Sequence, residues 1–380
     1  MNTRRPRINF VSNLGLNEIS GGFSGMNAAA YEAIQEVADV HYVGPVKPRI
    51  EVTRKLISKW KRIRGQGGEF FFFSEARLRR IAEEVQKARR GDADVDFYHG
   101  FTPWILTPPA RPYLAWSDCC FRDYIESFHR GALFDDCDLR RIYEAEAAWM
   151  SRSEGVLFSS EWARARTEAH YGLSGGLMSN ISIFGALSVP PQDTYSGSQD
   201  FLFVSTNYLR KNGPMCREAM NHVWSKYPNA RLKIIGARPR PADLNDPRVT
   251  YEGYLDKARP EQLQQLKDHF SKAFALVHPT GADTTAMVVI EAGFHGCPSI
   301  TVNNFALPEV TGNGEYAFLL DPPFSAATVA NAMLTLLTDR NRYLKMRAKA
   351  REFTRERFSR RAFKTRLQTA VFSRIEEVRT

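Results

Sequence analysis

The sequence predicts an α/β protein of two domains, and three stretches carry that prediction. Phe274 to His278 is a short apolar run, the Pro-Thr-Gly after it breaks the run, and Ala286 to Phe294 has helix-forming composition until Gly296 and Pro298 stop it. That is strand, loop, helix and next strand. The same succession opens the chain: Arg7 to Ser12 reads as a strand, Gly21 to Gly25 as a glycine-rich loop, Met26 to Val37 as a helix and VHYVGPV as a second strand, a Rossmann-type beginning. Between them lies SVPPQDTYSGSQD, the sharpest change of composition in the chain. At 380 residues the chain is too long for one comfortable core. It divides into a first domain at 1–188, a linker at 189–200, a second domain at 201–357 and a last helical segment at 358–380.

Composition bounds the function. A hydrophobic fraction of 43%, with 12% aromatic and 25% charged residues, is that of a soluble globular protein. No apolar run approaches the roughly 18 residues of a membrane span. The basic start, MNTRRPRINFVSN, has too short an apolar part for a signal peptide. Five cysteines without metal-ligand spacing, Cys119 and Cys120 among them, point to a reducing compartment, and the expected location is the cytoplasm. A net charge of +10 attracts anionic nucleotides, anionic membrane surfaces and nucleic acid alike.

Along the first domain, the loop glycines Gly21 and Gly22 let backbone approach a phosphate or an acceptor, although they form no GxGxxG and no acidic residue follows to hold an NAD ribose. Lys47 to Arg64 is strongly basic, and Leu56, Ile57, Trp60 and Ile63 fall on one helical face. Such a helix either packs that face inward with its cations solvated or lies on an anionic membrane. A charged helix from Ser74 to Arg90 precedes Asp92, Asp94 and Asp96, which resemble a metal-binding DxD but fall in the turn before a strand; no metal site is assigned. His99 ends that strand and is either a cleft residue for sugar or acceptor or a core histidine. Ser117 and Asp118 end the next strand, where Asp118 binds a hydroxyl or caps the following segment. A helix from Asp138 to Arg152, the strand GVLFSS, the helix EWARARTEAHYGL and the strand NISIFGAL complete the domain.

The second domain opens on Phe201 to Ser205, a strand, followed by a polar loop with Arg210 and Lys211. Neighbouring Arg and Lys at a strand's carboxyl end suit a diphosphate, because Arg forks two oxygens while Lys acts as a point charge. ARLKIIGARP reads as a strand ending at Gly236, and VTYEGYLDK as a short strand and turn at Gly253 and Tyr254. In the stretch from Phe274, loop amides and a helix N-terminus lie beyond a strand's carboxyl end, where anions bind in parallel α/β sheets. Asp283 precedes the helix and Glu291 lies eight positions on, roughly 12 Å at the helical rise. Glu291 stands among Val288, Val289, Ile290 and Ala292, where a carboxylate needs a partner. PSITVNN and ALPEVTGNGEYAFLLDP supply the last strands, and from Ala326 the chain is helical to its end.

The residues from Phe274 to Ile300 resemble the donor-site signature of retaining glycosyltransferases of family 4. That family carries Glu, seven residues, Glu; here Asp283 and Glu291 have the same spacing. Arg210, Lys211 and Asn212 are similar to its Arg-Lys-Gly, and Pro308-Glu309 to its PEV. The resemblance is strong from about 200 to 320 and architectural before that. It implies the GT-B fold, two facing Rossmann-like domains with a C-terminal helix crossing back to the first. The activity it implies is retaining transfer of a hexosyl group from a nucleoside diphosphate sugar to a hydroxyl of a glycan or glycolipid, in bacterial surface polysaccharide synthesis.

The resemblance also implies roles. Arg210, Lys211 and the amides of Thr284, Thr285, Ala286 and Met287 would take the diphosphate, and Gly21 and Gly22 would face it. Asp283 with Thr284 and Thr285 would hold the sugar, Glu291 the ribose, and the surroundings of Gly236 and Tyr254 the base. Asp118, where the family often has His or His-Asp, is the first-domain carboxylate with a candidate catalytic role, and His99 is a candidate for sugar or acceptor. No cofactor or metal is expected beyond the donor itself, and no nucleic acid partner; the peripheral site would be the inner face of the membrane. The alternatives are a non-catalytic basic binder of nucleic acid or membrane, and a GT-B epimerase or phosphorylase.

Overall fold

The computed structural model describes residues 4–17 and 24–379. They fall into two compact units, Met1–Ile183 with Lys364–Thr380, and Phe184–Phe363.

In the first unit the chain runs β1 (Arg7–Val11), α1 (Ser24–Gln35), β2 (Asp39–Val43), α2 (Val52–Ile63), α3 (Glu75–Ala88), β3 (Val95–His99), β4 (Tyr113–Ser117), α4 (Phe121–Phe128), α5 (Asp136–Met150), β5 (Gly155–Phe158), α6 (Glu161–Tyr171) and β6 (Met178–Asn180). The described residues form a six-stranded sheet of order β2-β1-β3-β4-β5-β6, with every pairing parallel. Strands β3, β4 and β5 are buried along their whole length, as parallel strands covered on both faces must be. Helix starts follow the sequence: Ser74 accepts from the Arg77 amide, Asp135 from Asp138 and Ser160 from Ala163. Gly172, at φ 61°, ends α6. The NISIFGAL segment is a strand only to Asn180; Ser182 takes a positive φ of 63° and the chain leaves the sheet there.

The second unit runs β7 (Asp200–Ser205), α7 (Gly213–Trp224), β8 (Arg231–Gly236), β9 (Val249–Tyr251), α8 (Pro260–Lys272), β10 (Ala275–His278), α9 (Met287–Phe294), β11 (Ser299–Val302), α10 (Leu307–Val310), β12 (Ala317–Leu320), α11 (Ala326–Thr338) and α12 (Arg340–Phe358). Its parallel six-stranded sheet has the order β12-β11-β10-β7-β8-β9. Pro308-Glu309, read with the last strands, lies instead in the short helix α10. The final helix α13 (Arg360–Arg379) belongs to the first unit from Lys364 on: Arg366 Nε donates to the Ile181 carbonyl (2.8 Å) and Gln368 Nε2 to that of Ala33 (2.8 Å).

Strand order fixes where ligands bind. From β7 the second sheet grows through β8 to β9 on one side, then returns with β10 on the other. The loops after β7 and β10 lie at this switch point, the place where ligands bind in open parallel α/β sheets. In the first unit the equivalent point lies between β1 and β3.

Residues 189–200 are tied to the second unit. Asp193 accepts from Arg347 at both carboxylate oxygens, at 2.9 and 2.6 Å, and the guanidinium lies 4.2 Å from the centre of the Tyr195 ring. Arg347 is itself buried on α12 and also donates to the His295 carbonyl (3.0 Å), so this charge is paired rather than stranded.

Gly236 closes β8 at φ 107°, and a Cβ there would stand 2.1 Å from the Ser205 carbonyl oxygen. Backbone cannot yield as a side chain can. Gly236→Ala is expected to cost at least about 2 kcal/mol, from the left-handed backbone and the clash together, read as a lowered denaturation midpoint.

Candidate functional site

The loop from His278 to Met287 is built on Asp283. Its Oδ1 accepts from the backbone amides of Thr284 (3.0 Å) and Ala286 (3.2 Å), which closes the loop over the start of α9. Its Oδ2 accepts from His278 Nε2 (3.2 Å) and from Lys211 Nζ, and Lys211 also donates to the Ala282 carbonyl (2.5 Å). Two loops that meet at the switch point are thus joined by one ion pair. Asn212, at φ 57°, donates to the Pro279 carbonyl (2.8 Å), and the Gly281 amide donates to that of Arg210 (3.2 Å). The Arg210 side chain is exposed.

Electrostatics follow from this packing. Burial alone would raise the Asp283 carboxyl, but the hydrogen bond from His278 and the Lys211 ammonium outweigh it and hold the group far below the ordinary carboxylate range. Burial lowers His278 below the usual histidine value, so near neutral pH the ring is uncharged and its Nε2 proton points at Asp283. An ammonium has three donors. With two engaged by Asp283 and Ala282, Lys211 keeps one for a ligand oxygen.

Glu291 lies on the buried face of α9 and accepts from Lys257 Nζ (2.5 Å) and the Ala186 amide (3.2 Å). The partner its apolar surroundings demand is therefore Lys257. The spacing from Asp283 to Glu291 is not one helical run, because Ala286 is left-handed at φ 47° and α9 begins only at Met287. Of the loop amides expected to face an anion, those of Thr284 and Ala286 bond Asp283 instead. Thr284 and Thr285 are buried. Gly236 accepts from the Tyr251 hydroxyl (2.9 Å) and donates its amide to the Gly253 carbonyl (2.8 Å); Tyr254, beyond Gly253, is 54% exposed.

In the first unit, Gly21 and Gly22 lie outside the described residues. Asp118 is half-buried just past the end of β4. His99 lies in the core, its ring 5.5 Å from that of Trp116 and 6.5 Å from that of Phe10, and burial pushes it down to about 3. The DxD-like aspartates are held by arginines: Asp92 pairs with Arg7, Asp94 takes the Arg7 amide (2.8 Å), and buried Asp96 pairs with Arg89 (3.2 Å) and Arg111 (3.4 Å). Asp123, Glu126 and His170 bring ligand atoms within 4.8 Å of one another, the one such group among the described residues. Arg166 pairs with both carboxylates and fills the place of a cation there.

Sequence reading missed His278 and Lys257. His278 stands in the quoted stretch, yet reads as an ordinary strand end until Asp283 is folded back onto it. Lys257 follows the Gly253 turn like any surface lysine.

Two units, each with a parallel six-stranded sheet and helices, have the GT-B architecture. Sucrose-phosphate synthase from Thermosynechococcus elongatus is similar at a TM-score of 0.69 and 16% identity, with 99% of this chain and 100% of that one covered. Anabaena HepE, solved in complex with UDP, gives 0.66 and 13%, covering 97% and 100%. A variant of S. aureus TarM, solved with fondaparinux, α-GlcNAc-glycerol and UDP, gives 0.59 and 14%; 78% of this chain matches, and it spans 58% of the TarM chain. No curated protein sequence matches the chain. The model of the family described as "Glycosyl transferases group 1" matches residues 198–339, the stretch that holds Lys211, Asp283 and Glu291. The matched stretch lies within the second unit and is less than half of the chain.

Proposed function

We propose that the protein transfers a hexosyl group from a nucleoside diphosphate sugar to a hydroxyl of a glycan or glycolipid, with retention of anomeric configuration, in surface polysaccharide synthesis. The observation that carries this reading is the joining of Lys211 and Asp283 across the switch point of the second unit, beside exposed Arg210. As the bond from sugar C1 to the diphosphate oxygen breaks, negative charge grows on the leaving group. Lys211 and Arg210 would neutralise it, a task that calls for no metal. The acceptor oxygen forms the new bond to C1, and its proton passes to the departing diphosphate. Asp283, with both oxygens already hydrogen-bonded, orients the cation and the loop rather than acting as a nucleophile. Glu291 binds the ribose hydroxyls once Lys257 gives way or shares them.

The test is thermal unfolding in EDTA with UDP, GDP, ADP and their common sugar conjugates, repeated on Glu291→Ala and Arg210→Ala. One nucleotide is expected to stabilise the protein by about 3 kcal/mol at a hundredfold excess over its dissociation constant, with the effect lost in both variants. No response to any nucleotide would sink the reading. Turnover of the donor without an acceptor would move it to an epimerase or phosphorylase.

A further inference from the structure

Helix α2 is turned inside out. Its apolar side chains Val52, Leu56, Ile57, Trp60 and Ile63 are 66, 59, 56, 52 and 75% exposed, while Ser58, on the opposite side, is buried. At 100° per residue the five apolar positions span an arc of about 140°. The inward side is held by polar contacts: Ser58 Oγ donates to the Glu69 carbonyl (2.7 Å), Arg54 pairs with Glu69 (3.0 Å), and Arg62 lies 5.5 Å from the centre of the Phe134 ring. A Cβ on Gly68 would stand 2.4 Å from Ser58 Oγ, so the chain comes close there because that residue is glycine. Of the two readings of this helix, the apolar face packed inward is excluded, because serine and arginine supply the anchoring side.

What covers this face is set by charge. Lys59 and Lys61 border the apolar arc at about 100° on either side of Trp60, with Lys55 beyond Lys59. Arg64 lies 3.8 Å from the centre of the Trp60 ring. The acids nearby are taken: Glu51 pairs with Arg54 and Arg80, and Glu69 with Arg54. A second copy of this chain would set these cations against their like. A bilayer with anionic headgroups meets both demands, taking the apolar arc among its upper acyl chains and the lysines at its phosphates. The helix, twelve residues or about 18 Å long, lies along such a surface and does not cross it.

We propose that α2 docks the first unit on an anionic lipid bilayer, in the plane of the interface. The inference stands on α2 alone and is independent of the transferase reading. It is tested with the full chain by co-sedimentation with vesicles of phosphatidylcholine, with and without one-third phosphatidylglycerol. Binding is expected only with the anionic lipid. The combined change Leu56→Ser, Trp60→Ser and Ile63→Ser should weaken it at least about a hundredfold, and each of Lys55, Lys59 and Lys61 changed to Gln about fivefold. An unchanged unfolding midpoint shows that the variants fold, as substitutions of exposed side chains should. Independently of any variant, vesicles with brominated acyl chains should quench Trp60, which is half-exposed while Trp104, Trp116 and Trp149 are buried. Equal binding of the triple-serine variant and the parent overturns the proposal. So does absence of vesicle binding, and so does self-association that the same variant abolishes.

Discussion

Replacing Lys211 with Ala is expected to lower kcat about 10²- to 10³-fold with the preferred donor and to leave KM less affected. That is the usual loss when one group facing transition-state charge is removed. The change has a second consequence, because Asp283 then keeps only neutral His278 and loop amides as partners. An ionised carboxylate without its cation costs about 3 kcal/mol or more where it is buried. The two effects are separated by the double variant Lys211→Ala, Asp283→Asn, which removes the stranded charge. If Asp283→Asn alone keeps most of the turnover while the double variant folds like the parent and remains slow, Lys211 acts on the leaving group. Restored turnover would make Lys211 a structural partner of Asp283 and no more. The cycle of four proteins also gives the coupling between the pair directly.

The second large effect is expected at Glu146 in the first unit. This fully buried carboxyl on α5 accepts from Thr102 Oγ1 (2.6 Å), the Phe121 amide (2.7 Å) and the Tyr171 hydroxyl (2.7 Å). It therefore ties together the segment after β3, the first residue of α4 and the end of α6. Burial pushes it up to about 7, against the hydrogen bonds that favour its charged form. Glu146→Ala leaves three donors facing a cavity and should cost about 3–5 kcal/mol, a fall in Tm on the order of 10 °C. Glu146→Gln keeps the shape: its carbonyl oxygen, in the place of Oε2, still accepts from the Phe121 amide and the Tyr171 hydroxyl, while its amide nitrogen faces Thr102 Oγ1, which can turn to accept. Because the folded carboxyl binds its proton more tightly than the unfolded one, its contribution is full below about pH 4.5 and is lost as pH rises through about 7, by on the order of 3 kcal/mol. Denaturant midpoints across that range should show the decline in the parent relative to Glu146→Gln. Parallel curves for the two would mean that Glu146 is ionised in the folded state.

How legible each part was in the sequence depended on the kind of physics involved. Strands such as Ala275–His278 and Ser299–Val302 are short apolar runs closed by breakers, and the helices that follow announce themselves by composition. The cations after β7 and the carboxylate after β10 were readable because both stand at strand ends. Their joining was not, since it depends on β10 returning beside β7, a fact of strand order. The helical spacing assumed from Asp283 to Glu291 failed at Ala286, whose left-handed backbone no propensity for alanine announces. Amphipathicity shows that two faces of α2 differ but not which one turns inward; that was decided by Ser58, one polar residue with a carbonyl to bond. Glu146 was opaque for a similar reason. In a helix that also carries Glu144, nothing local tells the buried glutamate from its neighbour.

The left-handed Ala286 has a bearing on the thermodynamics of binding. A flexible loop that wraps a diphosphate must lose conformational entropy when the ligand arrives. Here the tight backbone at Ala286, the two amides on Asp283 and the Thr284 carbonyl, which accepts from the Ala306 amide at 2.9 Å, fix the loop while the chain folds. The entropy is surrendered before any nucleotide is present. The unfavourable entropy of donor association should then come from the sugar and diphosphate alone, while the protein's share of that cost appears as a lower folding stability.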